Sequence, residues 1–457
     1  MTVPSPRPTS NRIPVDRLRR TAIPAGLAGR ALLRWLRTQL PSSRSKEERQ
    51  RQASLKTGED VARTMGEMKG AAMKLGQVMS LMTGVVPEEL SDRLSSLHSQ
   101  APPMAFGLVE QVFQEDFGRS PGEIFRHFET RPFAAASIGQ VHRAETRDGR
   151  QVAVKVQYPG VAAAIDADLA NLGLVVGLGN LFARGLDGAA IASELREGIS
   201  AELDYTREAQ NQERFGRLYE DHPFIVVPAV VRELSTARIL TQDYVEGLPL
   251  RAAKEWDAGN RNHVAEVIFR FAFGSIYRHG LFNGDPHPGN YVLMPGGKVA
   301  FVDYGCVAEF DRETVEGFAS IIRALMEGKR DEWRAACENV GILHRGAPFS
   351  TAELYEHMHW FWAPILEDTV HFTRDLAAEM VRRNSQTTGP GGEINRYCNI
   401  PPGMVFLTRI NFGLAGVLAG LDTEGPWRGI IREYVYGDPP ATAIGRMAAG
   451  AMPGRHV

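Results

Sequence analysis

Three polar residues stand out in the stretch FNGDPHPGNYVLMPGGKVAFVDYG, residues 282–305. Asp285 is followed five residues later by Asn290, and Asp303 opens an Asp-Tyr-Gly sequence thirteen residues beyond that. Carboxylate and amide oxygens are the ligands that Mg²⁺ prefers, and a further carboxylate nearby suits phosphoryl chemistry. Asp and Asn are also common turn formers, so one such residue would indicate only a turn. Three at this spacing favour a site that holds Mg²⁺ and polyphosphate.

A β-hairpin would bring two of these residues together. Tyr291–Met294 and Lys298–Val302 contain the β-branched and aromatic residues typical of strands, and the Pro-Gly-Gly at 295–297 is a turn signal. We therefore expect a hairpin with Asn290 at its entrance and Asp303 at its exit, so that the two side chains meet at one end.

A lysine in a strand-like segment is the next candidate. In VAVKVQ, Lys155 follows three apolar residues. Such a lysine is usually an edge residue that points to water. However, V-A-[VI]-K is also the strand lysine of protein kinases, which contacts nucleotide phosphates and a helix glutamate. The segment ELDYTREAQ offers Asp204 and Glu208, four residues apart on one predicted helical face. This like-charge pair is unfavourable by a few tenths of a kcal/mol unless a cation approaches it.

The order of these elements matches that of protein kinases. The Asp-to-Asn spacing in DPHPGN equals that of the kinase catalytic loop, and Asp303 stands where the metal-binding D-F-G would be. One part is missing, since no G-x-G-x-x-G precedes the lysine. The corresponding segment, AAASIGQV from Ala134, has alanines and one glycine, Gly139. Alanine restricts close backbone approach, so we expect nucleotide to be held differently from an ordinary protein kinase.

Composition limits the class of protein. The 457 residues are 43% hydrophobic and 23% charged, enough for a large core, and the net charge of -2 argues against wholesale nucleic-acid binding. Three scattered cysteines fit a reducing cytosol better than a disulfide framework or a zinc site. We expect neither a bilayer-spanning segment nor a secretory signal, because no apolar run is long enough.

The amino-terminal region is basic. Its first 46 residues contain ten Lys or Arg and one acid, which is typical of a disordered tail. Within it, GRALLRWLRTQL places arginines and leucines on separate helical faces. This amphipathic helix could lie on an anionic membrane surface or dock on the protein's own body.

Helices and strands then alternate along the chain. Residues 54–82 carry an unbroken helical stripe of apolar residues, with the KLGQ string on its flank. Further helices are predicted in PEELSDRLSSL, FGLVEQVFQEDFG and GEIFRHFE. Four strand-like segments follow, AAASIGQVHRAET, RQVAVKVQYPG, FIVVPAVV and ARILTQDYVEG, with two helical stretches between the second and third. The first two join at residues 147–150, and after Gly247 the chain is predicted to be mainly helical to about 435. The pattern predicts a two-lobed α+β enzyme.

Taken together, these strings resemble the UbiB/AarF-type atypical kinase family, which is tied to ubiquinone biosynthesis. The matching strings lie between about 60 and 305: KLGQ, AAASIGQVHRA, VAVKVQYPG, ELDYTREA, DPHPGN and DYG. The resemblance implies an α+β, two-lobed protein-kinase-like fold with a helical N-terminal extension. The expected organisation is a basic tail (1–53), a helical extension with K-x-G-Q (54–130), an N-lobe with inserted helices (131–247), a helical C-lobe (248–440) and a C-terminal tail (441–457).

The resemblance also implies roles for the residues that match by position. Lys155 would contact phosphates and pair with Glu208, and Asp285 occupies the catalytic-base position. Asn290 and Asp303 would hold Mg²⁺.

Two further sets are implied in the same way. In the family, the K-x-G-Q extension covers the cleft where a protein substrate would bind, so a regulatory set would be Lys74, Gly76, Gln77, Glu202 and Asp204. The implied ATP-binding set is Ala134, Ala135, Ala136, Ser137, Gly139, Gln140, Lys155, Tyr244 and Val245.

Two positions depart from the family pattern. Asn283 stands where the family often has histidine, two residues before the catalytic aspartate, and D-Y-G replaces D-F-G. The C-terminal transmembrane segments of some members are not expected either.

The function implied is an Mg²⁺-dependent, ATP-binding atypical kinase or ATPase in isoprenoid-quinone or lipid metabolism. Phosphoryl transfer would go to water or to a small or lipid-like substrate. The alternatives are a protein kinase, which the extension disfavours, and a non-catalytic nucleotide-binding scaffold for quinone or lipid enzymes. Expected partners are nucleotide, a lipid or quinone-precursor ligand, and a membrane surface or lipid-enzyme complex, but no nucleic acid. The expected location is cytoplasmic, with peripheral membrane contact.

Overall fold

The computed structural model describes residues 104–136, 138–163, 203–359, 362–384, 389–398 and 405–451. The predicted helix over 54–82, the basic amphipathic segment and five site candidates lie outside these residues: Lys74, Gly76, Gln77, Ser137 and Glu202. The described part of the chain divides into two units. The first holds 104–163, 203–206 and 231–244, and the second holds 207–230 and 245–451.

The first unit is built on an antiparallel sheet. Its strands follow the order β1-β3-β4-β6, and β2 also pairs with β3. The strands are β1 (His127–Phe128), β2 (Ala134–Ala135), β3 (Gly139–Glu145), β4 (Gln151–Gln157) and β6 (Ile239–Asp243), and two helices precede them, α1 (Phe106–Phe117) and α2 (Pro121–Ile124). Strand β5 belongs to the second unit.

The β3–β4 hairpin follows from local sequence. Val152, Val154 and Val156 alternate along β4 and are fully buried, as expected for one face of a sheet. The turn places Gly149 at a φ of 90°, which glycine adopts without steric cost. The predicted hairpin joined at residues 147–150 is therefore confirmed.

The second unit combines a helical core with three small sheets. One is the four-stranded sheet β5-β10-β9-β7, and the others are the pairs β8–β11 and β12–β13. Its strands are β5 (Ile225–Val226), β7 (Leu248–Pro249), β8 (Leu281–Asn283), β9 (Tyr291–Met294), β10 (Lys298–Phe301), β11 (Val307–Glu309), β12 (Val370–Phe372) and β13 (Thr423–Gly425).

Eleven helices and four short 3-10 segments accompany these strands in the described residues. The helices are α3 (Tyr205–Leu218), α4 (Ala258–His279), α5 (Arg312–Met326), α6 (Arg330–Val340), α7 (Thr351–Met358), α8 (Ala363–Leu366), α9 (Arg374–Asn384), α10 (Gly389–Asn395), α11 (Val405–Gly420), α12 (Trp427–Val435) and α13 (Ala443–Ala451). The 3-10 segments are Arg232–Leu234, in the first unit, and Leu250–Glu255, Pro288–Asn290 and Pro295–Gly297.

Helix α4 forms the centre of the second unit. The side chain of Asp257 caps its start by accepting from the Asn260 N–H, and Gly280 ends it at a φ of 61°. Phe271 of α4 stacks on Phe301 of β10, with 3.7 Å between ring centroids. The helix therefore supports the hairpin that carries the polar residues. No helix in the described ranges is both long enough and apolar enough to cross a bilayer.

Two segments differ from the predicted elements. The segment FIVVPAVV contributes only Ile225–Val226, and these pair in parallel with Val299 and Ala300 of the second unit. The predicted helix in GEIFRHFE stops at Ile124, because His127–Phe128 joins the sheet beside Ala144 and Glu145.

The carboxyl-terminal half also contains more strand than expected. The chain after residue 247 forms β7, β8, β11, β12 and β13 in addition to the predicted hairpin. Where a tail was expected from residue 441, α13 buries Ile444 and Ala448. Apolar burial holds this helix to the second unit, and its composition of small residues gave little sign of that.

Candidate functional site

The loop between β8 and β9 holds Asp285 and Asn290 together. The Asn290 side-chain Nδ2 donates to the main-chain oxygen of Asp285 at 3.0 Å and to its carboxylate Oδ2 at 3.1 Å. Within the loop, the His287 N–H donates to the Asp285 carbonyl at 2.7 Å. The side-chain nitrogen of Asn290 faces Asp285. The Asn290 Oδ1 and the Asp285 Oδ1 therefore take no part in this contact.

The loop between β10 and β11 holds Asp303. The Asp303 Oδ1 accepts from the Gly305 N–H at 3.0 Å, which fixes the carboxylate over its own turn. Asn283, at the end of β8, donates from Nδ2 to the main-chain oxygen of Asp303 at 2.7 Å. Asn283 thus joins the Asp303 loop to the loop that carries Asp285.

Two ladders position both loops. Strand β8 pairs with β11, with Asn283 opposite Val307, and β9 pairs with β10, with Tyr291 opposite Phe301. Each loop is therefore anchored on both sides by paired strands. The predicted hairpin is confirmed, and it brings Asn290 and Asp303 to one end, where the Val302 N–H donates to the Asn290 carbonyl at 3.1 Å.

Tyr304 anchors the Asp303 loop in the core. Its ring is fully buried and lies 5.1 Å from that of Phe215, while Asn211 donates from Nδ2 to the Tyr304 carbonyl at 3.2 Å. Burial raises the pKa of the Tyr304 phenol well above its ordinary value. Sequence reasoning missed the roles of Asn211 and Phe215, because no local signal links positions about ninety residues apart.

The donor set in the second unit suits a hard cation. An amide oxygen from Asn290 and a carboxylate from Asp303 could hold Mg²⁺, with Asp285 beside them. Mg²⁺ is usually bound by one or two carboxylates plus waters and substrate phosphates rather than by an all-protein cage. The described residues include no cluster of three or more His, Cys, Asp or Glu side chains able to hold a metal. Whether Asn290 and Asp303 hold Mg²⁺ stays a prediction.

Lys155 lies on an interior strand of the first unit. It stands opposite Val141 of β3 and Leu240 of β6, so the edge-strand interpretation does not apply to it. Its half-buried side chain places Nζ 4.9 Å from the ring centroid of Tyr205, a cation–π distance. On the same face, Gln157 donates from Nε2 to the Leu203 carbonyl at 2.8 Å. The segment that contains Asp204 is thus held beside the Lys155 face of the sheet.

Asp204 has a local role that the sequence analysis did not assign. It precedes α3, and its Oδ1 accepts from the Thr206 N–H at 2.9 Å. The prediction that Asp204 and Glu208 share a helical face is therefore wrong, since Asp204 caps the helix instead of belonging to it. Glu208 is in the first turn of α3 and is 3% exposed. Its pairing with Lys155 stays a prediction, because Lys155 belongs to the first unit and Glu208 to the second.

The alanine-rich segment forms a short hairpin. Ala134 and Ala135 pair with Val141 and Gln140, and the Ala136 N–H donates to the Gly139 carbonyl at 2.9 Å. Both paired alanines are exposed, and Ala136 is half-buried. Their contribution to nucleotide binding stays a prediction.

Gly139 has a packing requirement of its own. A Cβ at this position would lie 2.3 Å from the Val156 carbonyl oxygen and 3.0 Å from the Tyr205 hydroxyl. Any larger residue would push β3 away from β4. The glycine is therefore explained by close strand packing, whether or not phosphate approaches it.

Gln140 faces the interior of the first unit. Its Oε1 accepts from the Met104 N–H at 2.9 Å, and its Nε2 lies 2.9 Å from His142 Nε2. His142 Nδ1 lies 2.7 Å from the Glu129 carbonyl. This chain of contacts is satisfied by a neutral imidazole that donates from Nδ1 and accepts at Nε2. Burial lowers the pKa of His142, consistent with that neutral form.

Tyr244 and Val245 lie where β6 ends. The Tyr244 N–H donates to the Gln151 carbonyl at 3.0 Å, and the Arg143 guanidinium lies 4.4 Å from its ring centroid. Tyr244 is the last residue of the first unit along this strand, and Val245 begins the next segment of the second unit.

Known proteins resemble the chain over much of its length. The ABC1 atypical kinase-like domain matches residues 96–336. The atypical kinase coq-8, mitochondrial, of Caenorhabditis elegans is 33% identical over 62% of this chain and 38% of that protein. AarF domain-containing protein kinase 1 of Xenopus tropicalis is 30% identical over 78% of this chain and 69% of that protein. The chain thus spans little more than a third of the first of these relatives.

A solved structure agrees with these matches. The structure described as the complex of Rv3197 and erythromycin, from Mycobacterium tuberculosis, is 32% identical, with a TM-score of 0.64. The alignment covers 86% of this chain and all of that one. The two loops, the interior lysine strand and these matches together establish that the chain has a kinase-like fold and belongs to the UbiB/AarF family of ABC1 atypical kinase-like proteins.

Proposed function

We propose that the chain is an Mg²⁺-dependent, ATP-binding enzyme that transfers a phosphoryl group to water or to a small or lipid-like acceptor. The observation that carries this proposal is the joining of two loops through Asn283. Asp285, Asn290 and Asp303 thus lie in two loops that are anchored by paired strands and joined by a hydrogen bond. Phosphoryl transfer depends mainly on positioning and on charge stabilisation, and anchored polar groups of this kind support both.

Each residue has a distinct part in this reaction. Asn290 and Asp303 would hold Mg²⁺, which when bound neutralises phosphate charge. Lys155 adds a positive charge toward the phosphates. Asp285 orients the attacking hydroxyl or water and accepts its proton at the carboxylate. Its orientation is set by the Asn290 amide, which holds Oδ2 at 3.1 Å and leaves Oδ1 to face the acceptor.

The acceptor class is proposed from the family. Relatives carry the names atypical kinase coq-8, mitochondrial, and ACTIVITY OF BC1 COMPLEX KINASE 8, chloroplastic. We infer a role in isoprenoid-quinone or lipid metabolism, with a lipid or quinone precursor as ligand. The basic segment within 1–53 would supply peripheral contact with an anionic membrane. The words mitochondrial and chloroplastic describe the relatives. For this chain we propose only contact with the surface of an anionic membrane.

The test is ADP release by the purified full-length chain with Mg²⁺-ATP, with and without anionic liposomes. Asp285→Asn is the test variant, because it keeps the size of the side chain and the capacity to accept from Asn290. Asp331→Asn, on the exposed first turn of α6, is the matched control. We expect lipid-stimulated turnover that Asp285→Asn lacks and Asp331→Asn retains.

The same assay separates the alternatives. Tight nucleotide binding with no turnover by either protein would favour a scaffold for quinone or lipid enzymes. Transfer of labelled phosphate to added proteins, with no ATPase activity, would favour a protein kinase. Turnover by Asp285→Asn equal to that of the unmodified chain would remove Asp285 from the reaction.

A further inference from the structure

Helix α11 meets the loop that carries Asp285 at a glycine. A Cβ at Gly413 would lie 2.4 Å from the Pro286 Cγ, 3.4 Å from its Cβ and 3.6 Å from its Cδ. Leu414, the next residue of α11, lines a small cavity together with Asp285, Pro286 and Asn290. The helix therefore reaches the loop at two successive positions, and the proposed reaction gives neither position a role.

Helix formation by itself does not favour glycine at residue 413. Glycine is less favourable than alanine in a helix interior, because its backbone loses more conformational freedom on folding. The same helix contains Gly416, which is exposed and where an added Cβ would meet nothing within 4 Å. Gly413 thus differs from Gly416 in its close contact with Pro286. A residue without a side chain lets α11 lie this close to the loop.

The helix is the more firmly held side of this contact. Its residues Leu414 and Leu418 are buried, and α11 packs on α4, α9 and β12. Side chains in a close-packed interior have little room to move. The loop, by contrast, exposes residues 287–289. A side chain at 413 would therefore displace the loop rather than the helix.

Pro286 would transmit this displacement to Asp285. The proline is buried, and the His287 N–H donates to the Asp285 carbonyl at 2.7 Å, so the three residues form one tight turn. The proline ring is held to the backbone and cannot rotate away as a longer side chain could. Carbon atoms pack at about 3.5–4.0 Å, so a contact at 2.4 Å requires a shift of about 1 Å. A shift of that size would carry the Asp285 carboxylate with it.

We propose that Gly413 is a positioning residue for Asp285. Its missing side chain lets α11 support Pro286, and Pro286 sets the place of the carboxylate that precedes it. The inference rests on the proposed function, which assigns that carboxylate to the attacking hydroxyl or water. A misplacement of about 1 Å can cost about a hundredfold in rate. Gly413→Ala should therefore lower ATP turnover by about a hundredfold. The affinity for Mg²⁺-ATP should change little, because Asp303 is held by the other loop.

ATPase assays and calorimetric titration of the full chain measure these two quantities. Gly416→Ala, the same substitution at the exposed glycine of the same helix, is the matched control and should change neither. Unchanged turnover in Gly413→Ala would overturn the inference. So would a loss of affinity as large as the loss of turnover, because it would indicate general damage to the fold.

A second substitution tests the contact itself. Pro286→Ala removes Cγ and Cδ and leaves the Cβ at 3.4 Å from the atom added at 413, which is an ordinary contact. Gly413→Ala should therefore have little further effect on turnover in a chain that already carries Pro286→Ala. An equally large further loss in that chain would overturn the inference. If Gly413→Ala alone fails to fold, the double variant is expected to fold, and its failure to do so would count as the same refutation.

Crystal structures of Gly413→Ala and Gly416→Ala measure the displacement without any need for turnover. In Gly413→Ala, the Asp285 carboxylate should lie about 1 Å from its place in the unmodified chain, and in Gly416→Ala it should not move. An unmoved Asp285 beside a displaced α11 would overturn the inference. The expected displacement in a chain that never turns over ATP would support the positioning by Gly413 and would contradict the proposed function.

Discussion

Replacing Tyr304 by phenylalanine should stabilise the protein. The Tyr304 hydroxyl is buried and has no hydrogen-bond partner among the described residues. A buried, unsatisfied hydroxyl costs about 1–3 kcal/mol. Tyr304→Phe removes that group and keeps the ring that packs 5.1 Å from Phe215. Because the lost oxygen leaves a small void, we expect a net gain of about 1 kcal/mol in the free energy of unfolding.

Urea denaturation, followed by far-ultraviolet circular dichroism, measures this change. Tyr219→Phe is the matched control, since it is the same chemical change at a hydroxyl that lies 2.8 Å from Ser275 Oγ. That variant should lose about 0.5–1.5 kcal/mol, the usual net value of a hydrogen bond. The two substitutions are therefore expected to have opposite signs.

A loss of stability in Tyr304→Phe would refute this reasoning. It would mean that the hydroxyl has a partner, such as an ordered water, and that the D-Y-G tyrosine is retained for a hydrogen bond. Affinity for Mg²⁺-ATP should stay within about twofold in either case, because the backbone contacts of Asp303 do not involve the phenol.

Four further results are expected. Asp303→Asn should abolish Mg²⁺-dependent nucleotide binding in a calorimetric titration, and unchanged affinity would remove Asp303 from the metal site. Asn283→Ala should lower ATP turnover by roughly tenfold to a hundredfold and the free energy of unfolding by about 1 kcal/mol. Asn339 is exposed, so Asn339→Ala is the control and should change neither quantity in the same ATPase and urea assays. Ala135→Gly should change the ratio of ATP to ADP affinity by freeing the alanine hairpin, and two unchanged affinities would contradict that reading. Acidification below about pH 6.5 should reduce the free energy of unfolding. Burial lowers the pKa of His142 in the folded state, so the unfolded chain binds more protons than the folded chain in this pH range. His142→Gln should make the free energy of unfolding less dependent on pH there.

The hairpin and the lysine strand could be predicted because their signals are local. Tyr291–Met294 and Lys298–Phe301 form as the pattern indicated, and Lys155 lies in the strand expected for it. The helix cap at Asp204 also had a local signal, since aspartate is favoured just before a helix. The spacing of four residues between Asp204 and Glu208 suggested instead two carboxylates on one helical face.

Other parts depend on distant residues and could not be read from spacing. Ile225–Val226 looks like any short strand, and only the folded chain shows that it pairs with Val299 and Ala300. Asn211 is likewise an ordinary helical residue until α3 brings its amide to the Tyr304 carbonyl. Such contacts form between segments far apart in sequence, so no window of neighbouring residues contains their signal.

The thirteen-residue spacing from Asn290 to Asp303 has a physical origin in the hairpin. Two strands of four residues and a turn of three fill eleven of the intervening positions, and Val302 completes the return. The turn needs its glycines: Gly296 and Gly297 have φ values of 75° and 72°, and a Cβ at 297 would lie 2.5 Å from His263. Because side chains alternate with period two along a strand, one inserted residue would turn Asp303 to the opposite face. The spacing is therefore informative about the site: it is the length at which this hairpin returns a carboxylate to the asparagine that precedes it.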